Sequence, residues 1–242
     1  MKIDPDRCTG CGECLPYCPA MAILLRPEEP RRATVVEELC FECGLCRRLE
    51  ICPGSAFMES DATESYPRIL RALFSDPNRP HDKTLIPGRG TEESKTNDVS
   101  GRIKRNDIGI CVEFGRPGIG CTFRDISSVT TRLTRLGVTF CDKNPLTILM
   151  NRETGAFPKE LNEQRILSSI LEIQVESSAL EEVMAKILEA SDEIETVFSL
   201  SVISRWGEDA DLPIRKRLER LGISVAPNAK MNLGLGRPLC ED

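Results

Sequence analysis

Two short runs of cysteine constrain this chain more than any other feature. The first, CTGCGECLPYCPA over residues 8–20, places Cys8, Cys11, Cys14 and Cys18 at the spacing C-x2-C-x2-C-x3-C, with Pro19 directly behind. The second places Cys40, Cys43, Cys46 and Cys52 ahead of Pro53, with five residues instead of three before the last cysteine. Two-residue gaps let a tight loop turn three thiolates toward one centre, and Gly10, Gly12 and Gly44 give the backbone access to positive φ. In this pattern the fourth cysteine of each run serves the other centre. Cys8, Cys11, Cys14 and Cys52 are therefore expected to form one ligand set, and Cys18, Cys40, Cys43 and Cys46 the other. The crossing would staple the two runs together.

The alternative metal is zinc, but zinc sites favour two separated C-x2-C pairs over triple runs closed by Cys-Pro. Soft thiolates in triple runs suit iron–sulfur clusters. Twelve cysteines in a secreted chain would suggest disulfides, yet eight of them sit in these two clusters. A reducing compartment fits that usage better. Residues 1 to about 60 resemble a bacterial-type ferredoxin with two [4Fe-4S] clusters, and the repeat is visible as IDPDRCTGCGECLPYCPAMAI echoed by VVEELCFECGLCRRLEICPGSAF. The resemblance implies electron transfer. Clusters would also hold so small a unit folded. The longer gap before Cys52 predicts a lengthened or bulged helical turn after Cys46.

Charge and hydropathy narrow the partners. Lys and Arg total 32 against 38 Asp and Glu, a formal charge of −6 over 242 residues. No broad basic surface is available to neutralise phosphates, so nucleic acid is not an expected partner. The start MKIDPDRC has no apolar run behind basic residues, and no stretch of eighteen uncharged apolar residues follows. The expected setting is cytoplasmic, without membrane insertion.

The remainder divides in two. Residues 61–105 carry four prolines and read as a linker or a wrapping arm, with a short helix over Ile69 to Phe74 and Leu70, Leu73, Phe74, Leu85 and Ile86 as apolar anchors. His81, the only histidine, reads as a surface loop residue without a role.

From 106 to 242 the periodicity alternates. IGICVEF is a strand with Ile108, Ile110, Val112 and Phe114 on one face, then a helix carries Ile126, Val129, Leu133 and Leu136 and ends at Gly137, and VTFC is a strand. A second set follows: SSILEIQV, a helix with Ser178 and Glu181 at capping-box spacing and Leu180, Val183, Met184, Ile187 and Leu188 on one face, and TVFSLSVIS. A further helix is expected over DLPIRKRLERLG with Asp211 as N-cap, and a final strand at ISVAP. The fold class is thus α+β, a dicluster ferredoxin unit followed by an α/β sandwich of βαβ units in βαββαβ, ferredoxin-like topology or one close to it.

Two features of this second part could carry chemistry. The turn FGRPGIGC sets Gly115, Gly118 and Gly120 before a helix start, with Arg116 and Arg124 nearby, and such a turn can hold an anion or cofactor. Its spacing is neither a dinucleotide fingerprint nor a phosphate loop, so plain turn glycines are the alternative. Cys111, Cys121, Cys141 and Cys240 read as small buried hydrophobes, with a third cluster as the other possibility. With one histidine and no nucleophile beside a base, no catalytic set is expected.

The reading is an electron-transfer subunit or donor of a reductase complex. The alternatives are a self-contained reductase binding flavin or substrate at GRPGIG, and a redox-linked regulator. The stretches GRGTEESKTNDVSGR, NPLTILM and NLGLGRPL resemble long iron–sulfur proteins of anaerobic bacteria that accompany reductases of heteroaromatic acids such as 6-hydroxynicotinate reductase. That resemblance implies a partner enzyme bearing flavin or another metal.

Overall fold

The chain was analysed as a computed structural model that describes residues 1–89, 102–104, 106–204 and 213–226. The sequence repeat survives as a backbone repeat. Strand β1 (Lys2–Ile3) opens the chain, β2 (Ile23–Arg26) and β3 (Arg32–Val35) form an antiparallel hairpin, α1 (Leu45–Arg48) follows the second cysteine run, and β4 (Phe57–Met58) returns to pair with β1. Positive φ recurs at matching points: Gly10 and Glu42, Gly12 and Gly44, Met21 and Ser55. The first Cys-Pro is preceded by a single 3-10 turn, Leu15–Tyr17. The second is preceded by α1 and a left-handed Glu50, φ 50°. The two extra residues are absorbed there, as the longer gap predicts.

Helix α2 (Ile69–Ser75) leads into the larger part of the fold, which continues with β5 (Asp107–Phe114), β6 (Cys121–Thr122), α3 (Phe123–Arg135), β7 (Thr139–Phe140), α4 (Pro145–Leu149), β8 (Arg165–Ile166), β9 (Ser169–Glu176), α5 (Leu180–Ser191), β10 (Phe198–Ile203) and α6 (Pro213–Arg220). Four strands form one antiparallel sheet in the order β10-β5-β9-β7. Each strand–helix–strand unit therefore has a strand of the other unit as a neighbour: β9 lies between β5 and β7, and β5 between β9 and β10. The face presented by Ile108, Ile110, Val112 and Phe114 packs with Ile126, Val129 and Leu133 of α3 and with Leu180, Val183, Met184 and Ile187 of α5. Leu70, Leu73 and Phe74 of α2 enter the same core, each contributing about 1.5–3 kcal/mol by burial. No helix among the described residues is long and apolar enough to cross a membrane.

Several local expectations are corrected. Ser178 does not cap α5, because residues Ser177–Ala179 already wind as a 3-10 turn and no side-chain cap bond forms at Ala179. Glu181 instead accepts from Arg217 of α6, at 2.6 Å from Nε and 2.5 Å from Nη2, which holds its carboxyl down to about 2. The capping box that does form joins Thr122 and Asp125 at the start of α3. Leu188 faces outward, and Leu85 is 77% exposed. His81 is 1% exposed, set edge-on to Phe74 at 5.7 Å with its imidazole pushed down by burial. The cause is the bridge between Pro80 and Pro87, which folds the loop inward, with the His81 amide donating to Ile86 O at 2.9 Å. No strand forms over 223–226, where Ile223 and Val225 pack on the core as loop. Asp211, Cys240 and most of the stretches that carried the heteroaromatic-reductase resemblance lie outside the described residues.

The Thr122 cap has a measurable consequence. Thr122→Ala is expected to cost about 1 kcal/mol, and Thr122→Ser much less. Urea unfolding followed by far-ultraviolet circular dichroism would report it as a lowered midpoint in the first variant alone.

Candidate metal centres and their surroundings

The glycines and left-handed residues of each run turn its thiols inward, and the thiols collect in two mixed groups. Burial pushes Cys14 upward, and the thiols adding to that push are Cys11, Cys52 and Cys8. Burial pushes Cys46 up to about 12, helped by Cys43, Cys40 and Cys18. Thiols from both repeats are thus neighbours in each group.

Backbone donors reach the sulfurs in both. The amides of Ala33 and Ala56 donate to Cys8 and Cys52 at 3.3 and 3.4 Å, and those of Ala22 and Glu42 to Cys18 and Cys40 at 3.3 and 3.4 Å. The Ala22 and Ala56 bonds are equivalent in the repeat, each closing the turn Cys-Pro-x-x-Ala. Cys40 stands at about 11, chiefly through burial. Thiols this high are neutral at pH 7, so a bound metal must supply the positive charge that ionises them.

The donor chemistry fits [4Fe-4S] clusters: four soft sulfurs per group, amides aimed at them, and apolar walls. Around Cys18, Cys40, Cys43 and Cys46 the walls of the cavity include Ala20, Ala22, Ile23, Val35 and Phe41. Among the described residues no three His, Cys, Asp or Glu side chains converge at the spacing that holds a single metal ion.

The two groups differ in exposure. Cys11 is exposed. The group containing Cys18 abuts the larger part of the fold: Phe41 is 1% exposed, Arg165 lies 5.4 Å over its ring, and Leu167 packs with Ala20 and Ala22.

This contact is where the glycine turn goes. Gly118 donates its amide to Pro19 O at 2.6 Å, Gly120 donates to Arg116 O at 2.8 Å, and Gly115 donates to Val197 O at 2.9 Å. The donors an anion would use are thus engaged within the protein. Arg116 bonds Gly115 O and Ser199 Oγ at 2.7 Å, and Arg124 pairs with Glu163 at the surface. The turn is a packing element against the cysteine unit, and close approach requires glycine at Gly115 and Gly120. A Cβ on Gly120, at φ 66°, would lie 2.5 Å from the Phe41 ring.

Cys121 is fully buried beside Ser169, with its thiol pushed up to about 12 by burial, as a small core hydrophobe would be. Cys111 and Cys141 lie in one row across the sheet on either side of Glu172, since Cys111 pairs with Glu172 and Cys141 donates its amide to Glu172 O at 3.0 Å. Sequence reasoning missed the charged residues beside the second centre. Arg68 bridges Glu37 at 2.6 Å and Glu42, and the Met1 ammonium meets Glu42 at 2.5 Å. Arg71 donates to Cys40 O at 3.0 Å. The available signal was the pair of arginines three apart in PRILR.

Gly120→Ala is expected to destabilise the holoprotein by about 1–3 kcal/mol, through overpacking against Phe41 and strain at positive φ. Thermal unfolding monitored by loss of visible absorption should show it, whereas Gly118→Ala, with open space around its Cβ position, should cost only the backbone strain.

Residues 1–24 match the family model described as 4Fe-4S binding domain. The beta subunit of adenylylsulfate reductase from Megalodesulfovibrio gigas is 33% identical over 96 residues, covering 38% of this chain and 48% of that protein. Ferredoxin-1 from Rhodobacter capsulatus is 44% identical over 45 residues, covering 18% of this chain and 62% of that protein. The chain thus spans about half the length of the first relative and under two thirds of the second. No solved structure matches it. None of these relatives supports the resemblance to proteins accompanying 6-hydroxynicotinate reductase. The N-terminal part of the chain is a ferredoxin-type 4Fe-4S binding domain.

Proposed function

We propose that the chain is an electron-transfer subunit or donor that carries two [4Fe-4S] clusters and delivers electrons singly to a partner redox enzyme. The observation that carries this reading is the pair of mixed thiol groups, each drawing three cysteines from one repeat and one from the other. Cys8, Cys11, Cys14 and Cys52 hold one cluster; Cys18, Cys40, Cys43 and Cys46 hold the other. When bound, such a cluster takes up and releases one electron at a time. The chain's own residues do the rest. Amides of Ala22, Ala33, Glu42 and Ala56 offset the negative charge on the sulfurs, and Phe41, Ala20 and Ala22 keep water from the second site.

The division into residues 1–60, an arm over 61–105 and a docking part over 106–242 belongs to the same proposal. The strand order β10-β5-β9-β7 supports a ferredoxin-like βαββαβ topology for the last of these. The exposed Cys11 suits exchange with a donor in solution. The second site faces the docking part, whose role is to seat the partner. Similarity to a protein named as a reductase beta subunit supports a subunit working beside a partner redox enzyme; flavin or metal on that partner and an anaerobic cytoplasmic setting complete the proposal. The engaged donors at Gly115, Gly118 and Gly120 argue against a flavin on this chain.

The test is an iron and acid-labile sulfide count on protein purified without oxygen, compared with Cys11→Ser and Cys46→Ser variants. About eight irons per chain, with disruption confined to one cluster in each variant, is the expected result. About two metal ions per chain and no sulfide would sink the proposal in favour of zinc.

A further inference from the structure

Arg71 on α2 is 7% exposed and carries a guanidinium that cannot lose its proton in a protein. Every hydrogen bond it makes goes to a neutral oxygen. Its Nη1 donates to the backbone carbonyls of Glu37 at 2.7 Å, Cys40 at 3.0 Å and Glu38 at 3.3 Å, and its Nε donates to Gln164 Oε1 at 2.8 Å. Among the described residues no carboxylate forms an ion pair with it. Of the acids nearby, Glu37 and Glu42 pair with Arg68, Glu42 also with the Met1 ammonium, and Asp76 with Arg48, while the exposed Glu38 acts on Arg71 only through its field. A buried charge without a counter-ion is strongly destabilising, and in known folds it is paired or bound to an opposite charge. The Cys40 carbonyl it binds at 3.0 Å sets the guanidinium beside the second thiol group.

We propose that Arg71 is the buried counter-ion of the centre held by Cys18, Cys40, Cys43 and Cys46, and that its fixed charge raises that centre's reduction potential. The inference rests on the reading that both thiol groups hold clusters. Four thiolates outweigh the positive charge of a [4Fe-4S] cube, so the ligated site is anionic, and each electron it receives from an external one-electron donor makes it more negative by one charge. No bond forms or breaks and no proton moves. A permanent positive charge nearby, in a low-dielectric setting, favours the reduced site over the oxidised one. Arg71 acts there against the carboxylates of Glu42 and Asp76, which bear on Cys40 and Cys43. At the other centre, burial and the thiols Cys11, Cys52 and Cys8 bear on Cys14.

The decisive variant is Gln164→Glu, which sets a carboxylate against the Arg71 guanidinium and cancels its charge while keeping every bond. Holoprotein is titrated with dithionite, and each centre is followed by its electron paramagnetic resonance signal; the signal that survives in Cys46→Ser identifies the other centre. Gln164→Glu should disfavour reduction of the second centre on the order of tenfold in the equilibrium constant and leave the first unmoved. Arg71→Lys, which keeps the charge but not the three carbonyl bonds, should lower thermal stability with little change in either potential. Two intact clusters with both potentials unmoved by Gln164→Glu, or moved equally, would overturn the role of Arg71. Absence of the second cluster from the wild-type protein would instead overturn the reading beneath it.

Discussion

Thiols from two separate stretches of chain have to meet in mixed groups, and the N-terminal fold follows from that demand. Loops can reach around a centre only if the backbone turns left-handed at set points, which is why Gly10, Gly12 and Gly44 lie between the cysteines. Glu42 adopts the conformation of Gly10 without being glycine. What it gains is position: its carboxylate meets the chain's first ammonium and Arg68, and its amide reaches Cys40. Strain at one residue is thus repaid by an ion-pair network that fastens the start of the chain to the second cysteine run. Each thiol group has a sulfur of the other repeat as a neighbour, so the two repeats are packed as one unit.

Helix α2 carries the demand across to the larger part of the fold. One side of it, Leu70, Leu73 and Phe74, belongs to the core of the four-stranded sheet. The other side presents Arg68 and Arg71 to the second cysteine run. Ser75 at its end accepts from the Leu167 amide at 2.9 Å, and Leu167 packs on Ala20 and Ala22. One short helix therefore ties the cluster-binding loops to the sheet through apolar packing on one face and charge on the other. Separating the two parts would expose apolar surface and strand a buried guanidinium at once. That makes the second thiol group a structural joint between the two parts.

How much of this was legible in the sequence depended on how local the cause was. Cysteine spacing, the Cys-Pro closures and the extra residues before Cys52 act within a few positions, and they appear in the structure as a repeated backbone. The apolar stripes of α3 and the alternation of β5 are equally local. The purpose of Gly120 was not legible, because the Phe41 ring that forbids a side chain there lies far away in sequence, and a glycine-rich turn before a helix looks the same whether it receives an anion or an aromatic ring. His81 was misplaced for a similar reason: its burial comes from the pairing of Pro80 with Pro87 and from Phe74. Ser178 had the spacing of a cap, but a 3-10 turn carried it inside the helical winding before it could act as one.

The sheet itself extends the same logic. A two-layer sandwich would leave one face of β5 in water and show alternating polar positions there. Instead β5 is buried at Cys111 and Glu113 as well as at its apolar residues. On that second face Arg89 pairs with Glu113 at 3.0 Å and Arg102 with Glu172 at 3.4 Å, while Gly109 leaves room for Ile103. Residues from the stretch ahead of β5 therefore cover the sheet with charge pairs where the helices cover the other face with hydrocarbon. Buried ion pairs add little net stability compared with apolar packing, because desolvation offsets most of their attraction. The polar face thus seats Arg89 and Arg102, both from the sequence between α2 and β5, against the sheet.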